Sequence, residues 1–192
     1  MITKKLSEIV SDVAVILGES IARECHPEES PFPDLEGQVR LLLEGTIFQE
    51  ARRDTEKAGY EIKRLNETLK IGYNNGGQIE LPEDYLNLIE VRLSGWKRSV
   101  FRISDPDSSV QAAIASRWEG VKANVSHPMV YEGVSASGKR CLILHPAKEE
   151  DMMETGWYVA CPRISSAEEL TLPASLYHKL LLKIAALIRE NC

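Results

Sequence analysis

Four histidines are the residues of this chain best suited to acid–base chemistry, because the ordinary pKa of imidazole lies close to neutral pH. They are His26, His127, His145 and His178. The first two each precede a proline, the third ends a predicted strand and the fourth belongs to the last predicted helix. A general base needs a partner held within hydrogen-bond reach, and the sequence nominates none. It therefore predicts no catalytic histidine.

Other residues that could carry chemistry show no better arrangement. The chain lacks the phosphate-binding P-loop, the glycine-rich dinucleotide motif, the zinc-protease motif and the serine-hydrolase motif. Glu83 and Asp84 are adjacent, so in a strand they would point apart, and nothing else supports a glycosidase pair. The four cysteines form no C-x-x-C pair, which favours reduced thiols over a zinc site or a disulfide scaffold. We predict no catalytic, cofactor-binding or metal-binding residue.

Composition places the chain among ordinary globular proteins. Of its 192 residues, 43 % are hydrophobic and 27 % are charged. Lys and Arg number 23 against 29 Asp and Glu, a net charge of −6, whereas proteins that wrap nucleic acid present a basic face. No apolar run approaches the length of a membrane span. We expect a protein made in the cytosol, with no membrane association and no tight binding to nucleic acid.

Hydrophobic periodicity predicts helices at both ends of the chain. Apolar residues recur every three or four positions over residues 3–23 and again over 34–53. Leu172-Pro173 predicts the start of a closing helix, since proline suits a first helical position. That helix carries Leu176, Leu180 and Ile184 on one unusually wide apolar face. We expect this face to be buried, either within the chain or against a partner.

The middle of the chain is predicted to be rich in strands. A helix is expected at 108–118, and strands are expected at 68–73, 78–81, 86–93, 99–103, 129–134, 140–145 and 157–161. The predicted fold class is α+β: a helical bundle of two N-terminal helices plus a C-terminal helix, with a small, mostly antiparallel β part. The predicted segments are an N-terminal helical hairpin at 1–58, a β-rich part with one inserted helix at 59–165, and a C-terminal helix at 166–192 that packs back on the bundle.

The three tryptophans offer two readings. Trp96 lies in a turn between predicted strands and is followed by Lys97 and Arg98. Tryptophan and arginine are favoured at the centres of protein interfaces, so Trp96 could anchor a partner, or it could cover the edge of its own sheet. Trp118 is predicted to be a core residue, and Trp157 to be part of a sheet rather than a contact.

From Leu81 onward the sequence resembles the head–tail connector proteins of tailed bacteriophages, also called adaptor or tail tubular proteins. The resemblance rests on six landmarks in order, with two helices before them. They are LPEDYL at 81–86, VRLSGWKR at 91–98, HPMV at 127–130, LILHP at 142–146, YVACP at 158–162, and Leu172-Pro173 before a helix rich in Leu and Ala. The order of the landmarks covers residues 34–190, and the two leading helices fit the helical part of the family.

The resemblance implies a structural protein of the virion with no catalytic site, assembled in the cytoplasm of the bacterial host. Proteins of this family form rings, often of twelve copies, that dock beneath the portal protein and meet a downstream neck or tail protein. Double-stranded DNA passes through the lumen without specific binding, which suits an acidic chain. A closed ring needs two different faces on each subunit. For these we nominate Trp96, Lys97 and Arg98 on one loop, and Leu176, Leu180 and Ile184 on the closing helix.

Two alternatives belong to other classes or positions. A tail-terminator or tail-completion protein also forms a ring, at the end of the tail. A small cytosolic enzyme of unknown reaction would need a pocket with converging titratable groups.

Overall fold

The computed structural model describes residues 1–18, 34–54, 59–65, 68–72, 76–104, 108–118 and 122–191. Four helices are described: α1 (Leu6–Leu17), α2 (Leu35–Arg53), α3 (Ser108–Ala115) and α4 (Ala174–Asn191). The strands are β1 (Ile2–Lys5), β2 (Ile62–Arg64), β3 (Lys70–Gly72), β4 (Gly76–Glu80), β5 (Tyr85–Leu93), β6 (Met129–Val134), β7 (Arg140–His145), β8 (Met153–Ala160) and β9 (Glu169–Leu172). The sequence Asn74-Asn75-Gly76-Gly77 between the predicted strands 68–73 and 78–81 is typical of a turn, and Asn74 and Asn75 lie outside the described residues.

The chain divides into two compact units. Unit 1 contains residues 1–61 and 161–192, and unit 2 contains residues 62–160. Unit 2 is thus a continuous segment inserted between the second and the last helix of unit 1. Within the described residues, no helix is both long and apolar enough to cross a lipid bilayer.

The described part of unit 1 consists of three helices and a two-stranded sheet. Helices α1 and α2 both pack against α4, which buries the periodic apolar residues of all three helices. Strand β1 pairs antiparallel with β9, and the Thr3 and Thr171 hydroxyls hydrogen-bond across the pair at 2.9 Å. The start of α2 is fixed locally: the Asp34 carboxylate accepts the Gly37 N–H at 3.2 Å. A Cβ at Gly37 would lie 2.2 Å from that carboxylate, so a larger residue would displace the Asp34 side chain from its present position.

Unit 2 contains two antiparallel sheets. One has the strand order β2-β8-β5 and the other has the order β3-β4-β7-β6. A single core cluster draws side chains from both sheets, among them Tyr85, Val91 and Tyr158 from the first and Ile79 and Leu142 from the second. The apolar faces of the two sheets are therefore buried against a common core, as alternation of inward and outward side chains along each strand requires.

The predicted helical bundle with a small β part is wrong as a description of the fold. Helices α1, α2 and α4 do pack together, but the described residues form nine strands in three antiparallel sheets, and the strands are the main part of the structure. The prediction failed because β1, β2 and β9 have only three or four residues each, too few to show a period. The strand predicted at 99–103 is reduced to one bridge between Val91 and Val100.

Candidate assembly surfaces

Trp96 is buried in the core of unit 2, with 2 % of its surface exposed. Its indole N–H donates to the carbonyl oxygen of Pro146 at 2.6 Å. The indole therefore fills the core beside β5 and ties two loops of unit 2 together. As an anchor for a partner, Trp96 is in the wrong place, because its ring has almost no surface left to offer. The neighbouring Lys97 and Arg98 are exposed.

The nominated face of the closing helix is also interior. Leu176, Leu180 and Ile184 each have no exposed surface, because α1 and α2 of the same unit cover this side of α4. The expectation that this face is buried is correct, but it is buried within the chain. These three side chains therefore cannot contribute to a contact between subunits unless unit 1 opens.

Several large apolar side chains that were not nominated as interface residues are on the surface instead. Leu41 is 85 % exposed, Trp118 80 % and Phe101 67 %. Single exposed apolar residues are normal on a protein surface. Whether such a residue is a candidate for binding a partner is therefore judged by its position relative to charged neighbours. Trp118 corrects a prediction: it follows α3 and does not enter the core.

Two segments of unit 2 are joined where the Lys97 N–H donates to the Val125 carbonyl at 2.8 Å, and within the second segment the Lys122 N–H donates to the Trp118 carbonyl at 2.9 Å. We call their exposed basic and aromatic side chains the basic–aromatic surface: Lys97, Arg98 and Phe101 on the first segment, and Trp118 and Lys122 on the second. All five side chains are exposed. Within the described part of the chain, none of the three cations has an ion-pair partner.

The second exposed feature is on unit 1, and we call it the α2 outer face: Leu41, Glu44 and Gly45. These positions are three and four residues apart, so they share the side of the helix opposite the buried Val39, Leu43 and Ile47. Glu44 is exposed and has no ion-pair partner among the described residues. A Cβ at Gly45 would meet nothing within 4 Å, so packing within the subunit does not require glycine there.

The polar side chains with the best-defined contacts connect elements of the fold. The Asp54 carboxylate, which is buried, accepts the Tyr60 hydroxyl at 3.1 Å and the Lys179 ammonium at 3.4 Å. This joins the end of α2 to α4. Burial, reinforced by the negative charge of Asp54, raises the pKa of Tyr60. The phenol therefore stays protonated at neutral pH and acts as a hydrogen-bond donor.

A carboxylate that accepts a tyrosine hydroxyl connects elements at a further place in each unit. In unit 2 the Asp84 carboxylate accepts Lys63 at 2.8 Å and the Tyr158 hydroxyl at 2.9 Å, which joins β2 and β8 to the turn before β5. In unit 1 the Tyr177 hydroxyl donates to Asp12 at 2.5 Å and joins α4 to α1. These carboxylates are occupied as connectors between elements.

A half-buried carboxylate, that of Glu80, bridges two lysines at the end of β4. It lies 2.6 Å from the Lys70 ammonium and 3.1 Å from that of Lys139. The hydrogen bond from Lys70, followed by that from Lys139, lowers the pKa of Glu80. The carboxylate is therefore ionised at neutral pH and links β3 and β4 to the turn that precedes β7.

Neither a group of metal ligands nor a pocket with converging reactive groups occurs among the described residues. Among the described residues, no three or more His, Cys, Asp or Glu side chains are grouped so that they could hold a metal ion. An open depression of about 600 Å³ in unit 2 is lined by Thr68, Leu69, Ser94, Asp151, Met152, Met153 and Glu154. Its carboxylates are engaged: Asp151 accepts the Lys148 N–H at 2.8 Å and Glu154 pairs with Arg92 at 3.0 Å.

A scan against models of protein families finds no family that matches this chain, and a search of the curated proteins finds no match either.

Sequence reasoning found part of the basic–aromatic surface and missed the rest. Lys97 and Arg98 were nominated from the sequence and are exposed, but the exposed aromatic residues of this surface are Phe101 and Trp118, not Trp96. A signal for Leu41 was present in the sequence. On a helical projection it falls opposite Val39 and Leu43, outside the stripe that defines the buried side of α2.

Proposed function

We propose that this chain is a ring-forming structural protein of the neck of a tailed bacteriophage, which joins the portal to the tail and extends the channel for DNA. The observation that carries the proposal is the ordered set of connector-like landmarks between Leu81 and Pro173. These landmarks coincide with element boundaries: LPEDYL leads into β5, HPMV leads into β6, LILHP ends β7, and Leu172-Pro173 precedes α4.

The surfaces of the two units are compatible with this function. Copies arranged in a ring make heterologous contacts, in which one patch of a subunit meets a different patch of the next. The described residues offer two such unlike patches, the basic–aromatic surface of unit 2 and the α2 outer face of unit 1. This supports assembly with further copies, because tryptophan is favoured at the centres of protein interfaces and Trp118 is exposed.

The charge of the chain suits a channel wall. The net charge is −6, and a wall that attracted the phosphates of DNA would hold the polymer by releasing counterions. In the proposed role DNA slides past without specific binding, and no catalytic residue is needed. The partners are further copies of the chain, a portal protein and a downstream neck or tail protein.

Co-sedimentation with isolated assemblies tests the position in the virion. We expect the purified chain to sediment with portal rings from the same phage genome and not with tail tubes from that genome. Sedimentation with tail tubes alone would contradict the connector function and favour that of a tail-terminator protein. Binding to neither assembly at micromolar concentrations would contradict both ring functions.

A further inference from the structure

The two exposed surfaces have complementary chemistry. The basic–aromatic surface combines Lys97, Arg98 and Lys122, which have no ion-pair partner among the described residues, with two exposed aromatic rings. The α2 outer face combines an exposed leucine with Glu44, whose carboxylate likewise has no ion-pair partner in the part of the chain that the structure describes. A surface of aromatic and cationic side chains fits an apolar surface that carries a carboxylate, because association then buries apolar area while opposite charges meet.

The distribution of charge between the units points the same way. Unit 1 has 11 Lys and Arg against 16 Asp and Glu, whereas unit 2 has 12 against 13. The excess negative charge of the chain is thus concentrated on unit 1, and the basic–aromatic surface is on the nearly neutral unit 2. An approaching copy is steered so that the unit 2 cations of one molecule face unit 1 of another.

We propose that the basic–aromatic surface of one copy docks on the α2 outer face of the next copy and forms the head-to-tail contact of the ring. This inference rests on the proposed function. Trp118 and Phe101 of one copy cover Leu41 of its neighbour, and Lys97 and Arg98 lie beside Glu44. After a single contact the pair of copies still has one unoccupied surface of each kind, so addition continues until the ring closes.

Gly45 gives this contact a specific signature. An exposed glycine in the interior of a helix costs about 1 kcal/mol relative to alanine, and a Cβ there would meet nothing within 4 Å in the subunit. Under the proposal the missing side chain lets the aromatic rings of the next copy approach the helix backbone. Gly45→Ala is therefore expected to raise the thermal stability of the monomer while it weakens assembly severalfold.

A charge-swap experiment tests the contact. The variants are K97E/R98E on the basic–aromatic surface, E44K on the α2 outer face, and the triple variant K97E/R98E/E44K. A matched control is E190K, which makes the same charge change at an exposed position on another helix, α4. Assembly is measured by native mass spectrometry over a range of protein concentrations, with and without portal rings, and circular dichroism confirms that each variant is folded.

We expect K97E/R98E and E44K each to raise the protein concentration needed for half-assembly by about tenfold, the triple variant to restore part of that loss, and E190K to behave as wild type. Wild-type assembly by the first two variants, or no rescue in the triple variant, would overturn the contact and leave the proposed function standing. A wild-type chain that never assembles, even on portal rings, would overturn both.

A polyanion is the competing occupant of the basic–aromatic surface, since bases stack on aromatic side chains beside cations. Fluorescence anisotropy with a labelled 30-base single strand and a 30-base-pair duplex, at about 50 mM salt, distinguishes the two. We expect no binding by wild type below 10 μM, a limit of the order of non-specific affinities. Binding that K97E/R98E abolishes, together with unchanged assembly by that variant, would assign the surface to nucleic acid and contradict the subunit contact.

Discussion

Replacement of Trp96 by phenylalanine tests whether this residue belongs to the core of unit 2. The substitution removes roughly three ring atoms from a side chain that is 2 % exposed, and it removes the donor to the Pro146 carbonyl. The lost apolar burial costs about 1–2 kcal/mol and the lost hydrogen bond about 1 kcal/mol, with a further cost where the carbonyl stays shielded from water. We expect W96F to lower the free energy of unfolding by about 2–4 kcal/mol.

The assay is urea unfolding followed by tryptophan fluorescence. All three tryptophans lie in unit 2, so the signal reports on that unit, and Trp118 and Trp157 remain as probes in the variant. The matched control is W118F, at a position that is 80 % exposed, for which we expect a change within about 0.5 kcal/mol. Equal free energies for the two variants, or a loss below about 1 kcal/mol for W96F, would refute the core assignment.

Two further substitutions test local features of unit 2. Gly76→Ala is expected to destabilise the protein by about 1–3 kcal/mol, because the new Cβ would lie 2.7 Å from the ring of His145. That ring is buried and stacked on Tyr131. A melting temperature no lower than that of the Gly45→Ala control would contradict this contact. Glu80→Gln removes a carboxylate whose pKa is lowered in the folded state by the hydrogen bonds from Lys70 and Lys139. The stability that this carboxylate contributes is therefore present above the ordinary glutamate pKa, and it is lost as the pH falls through the lowered pKa. We expect the melting-temperature difference between wild type and Glu80→Gln to shrink as the pH falls from 6 to about 2.5, and a difference that is constant over this range would contradict the bridge.

The elements with a clear hydrophobic period were predictable from the sequence. Helix α2 was predicted at 34–53 and spans Leu35–Arg53, and β6 and β7 were predicted at their observed bounds. In α2 the buried side chains recur every three or four positions, often enough for the helix to be predicted without knowledge of what covers it. The observed start of α2 agrees with its sequence, because aspartate is favoured at helix N-caps and Asp34 stands directly before it.

The pairing of β1 with β9 was not predictable in the same way. Thr3 and Thr171 lie opposite each other across 168 positions of sequence, and nothing in either four-residue strand specifies a partner so distant. Residues 3–5 were therefore assigned to the first helix, which begins at Leu6. The β1–β9 pair depends on helices that bring the two ends of unit 1 together, and that is a property of the whole fold.

The assignment of burial to an interface failed for a related reason. A wide apolar face on α4 shows that Leu176, Leu180 and Ile184 are covered, but the pattern is the same whether a partner or another helix of the chain covers them. Exposure was equally hard to predict: Trp118, which follows the end of α3, was expected in the core and is exposed. The surfaces that we propose for assembly could therefore be chosen only with the structure.

The most direct test of the proposed function is native mass spectrometry of the purified wild-type chain, alone and mixed with portal protein from the same genome. The proposal predicts a closed oligomer, of twelve copies if the resemblance holds in full, or a stoichiometric complex with the portal ring. A chain that remains monomeric or dimeric in both samples would contradict the connector function.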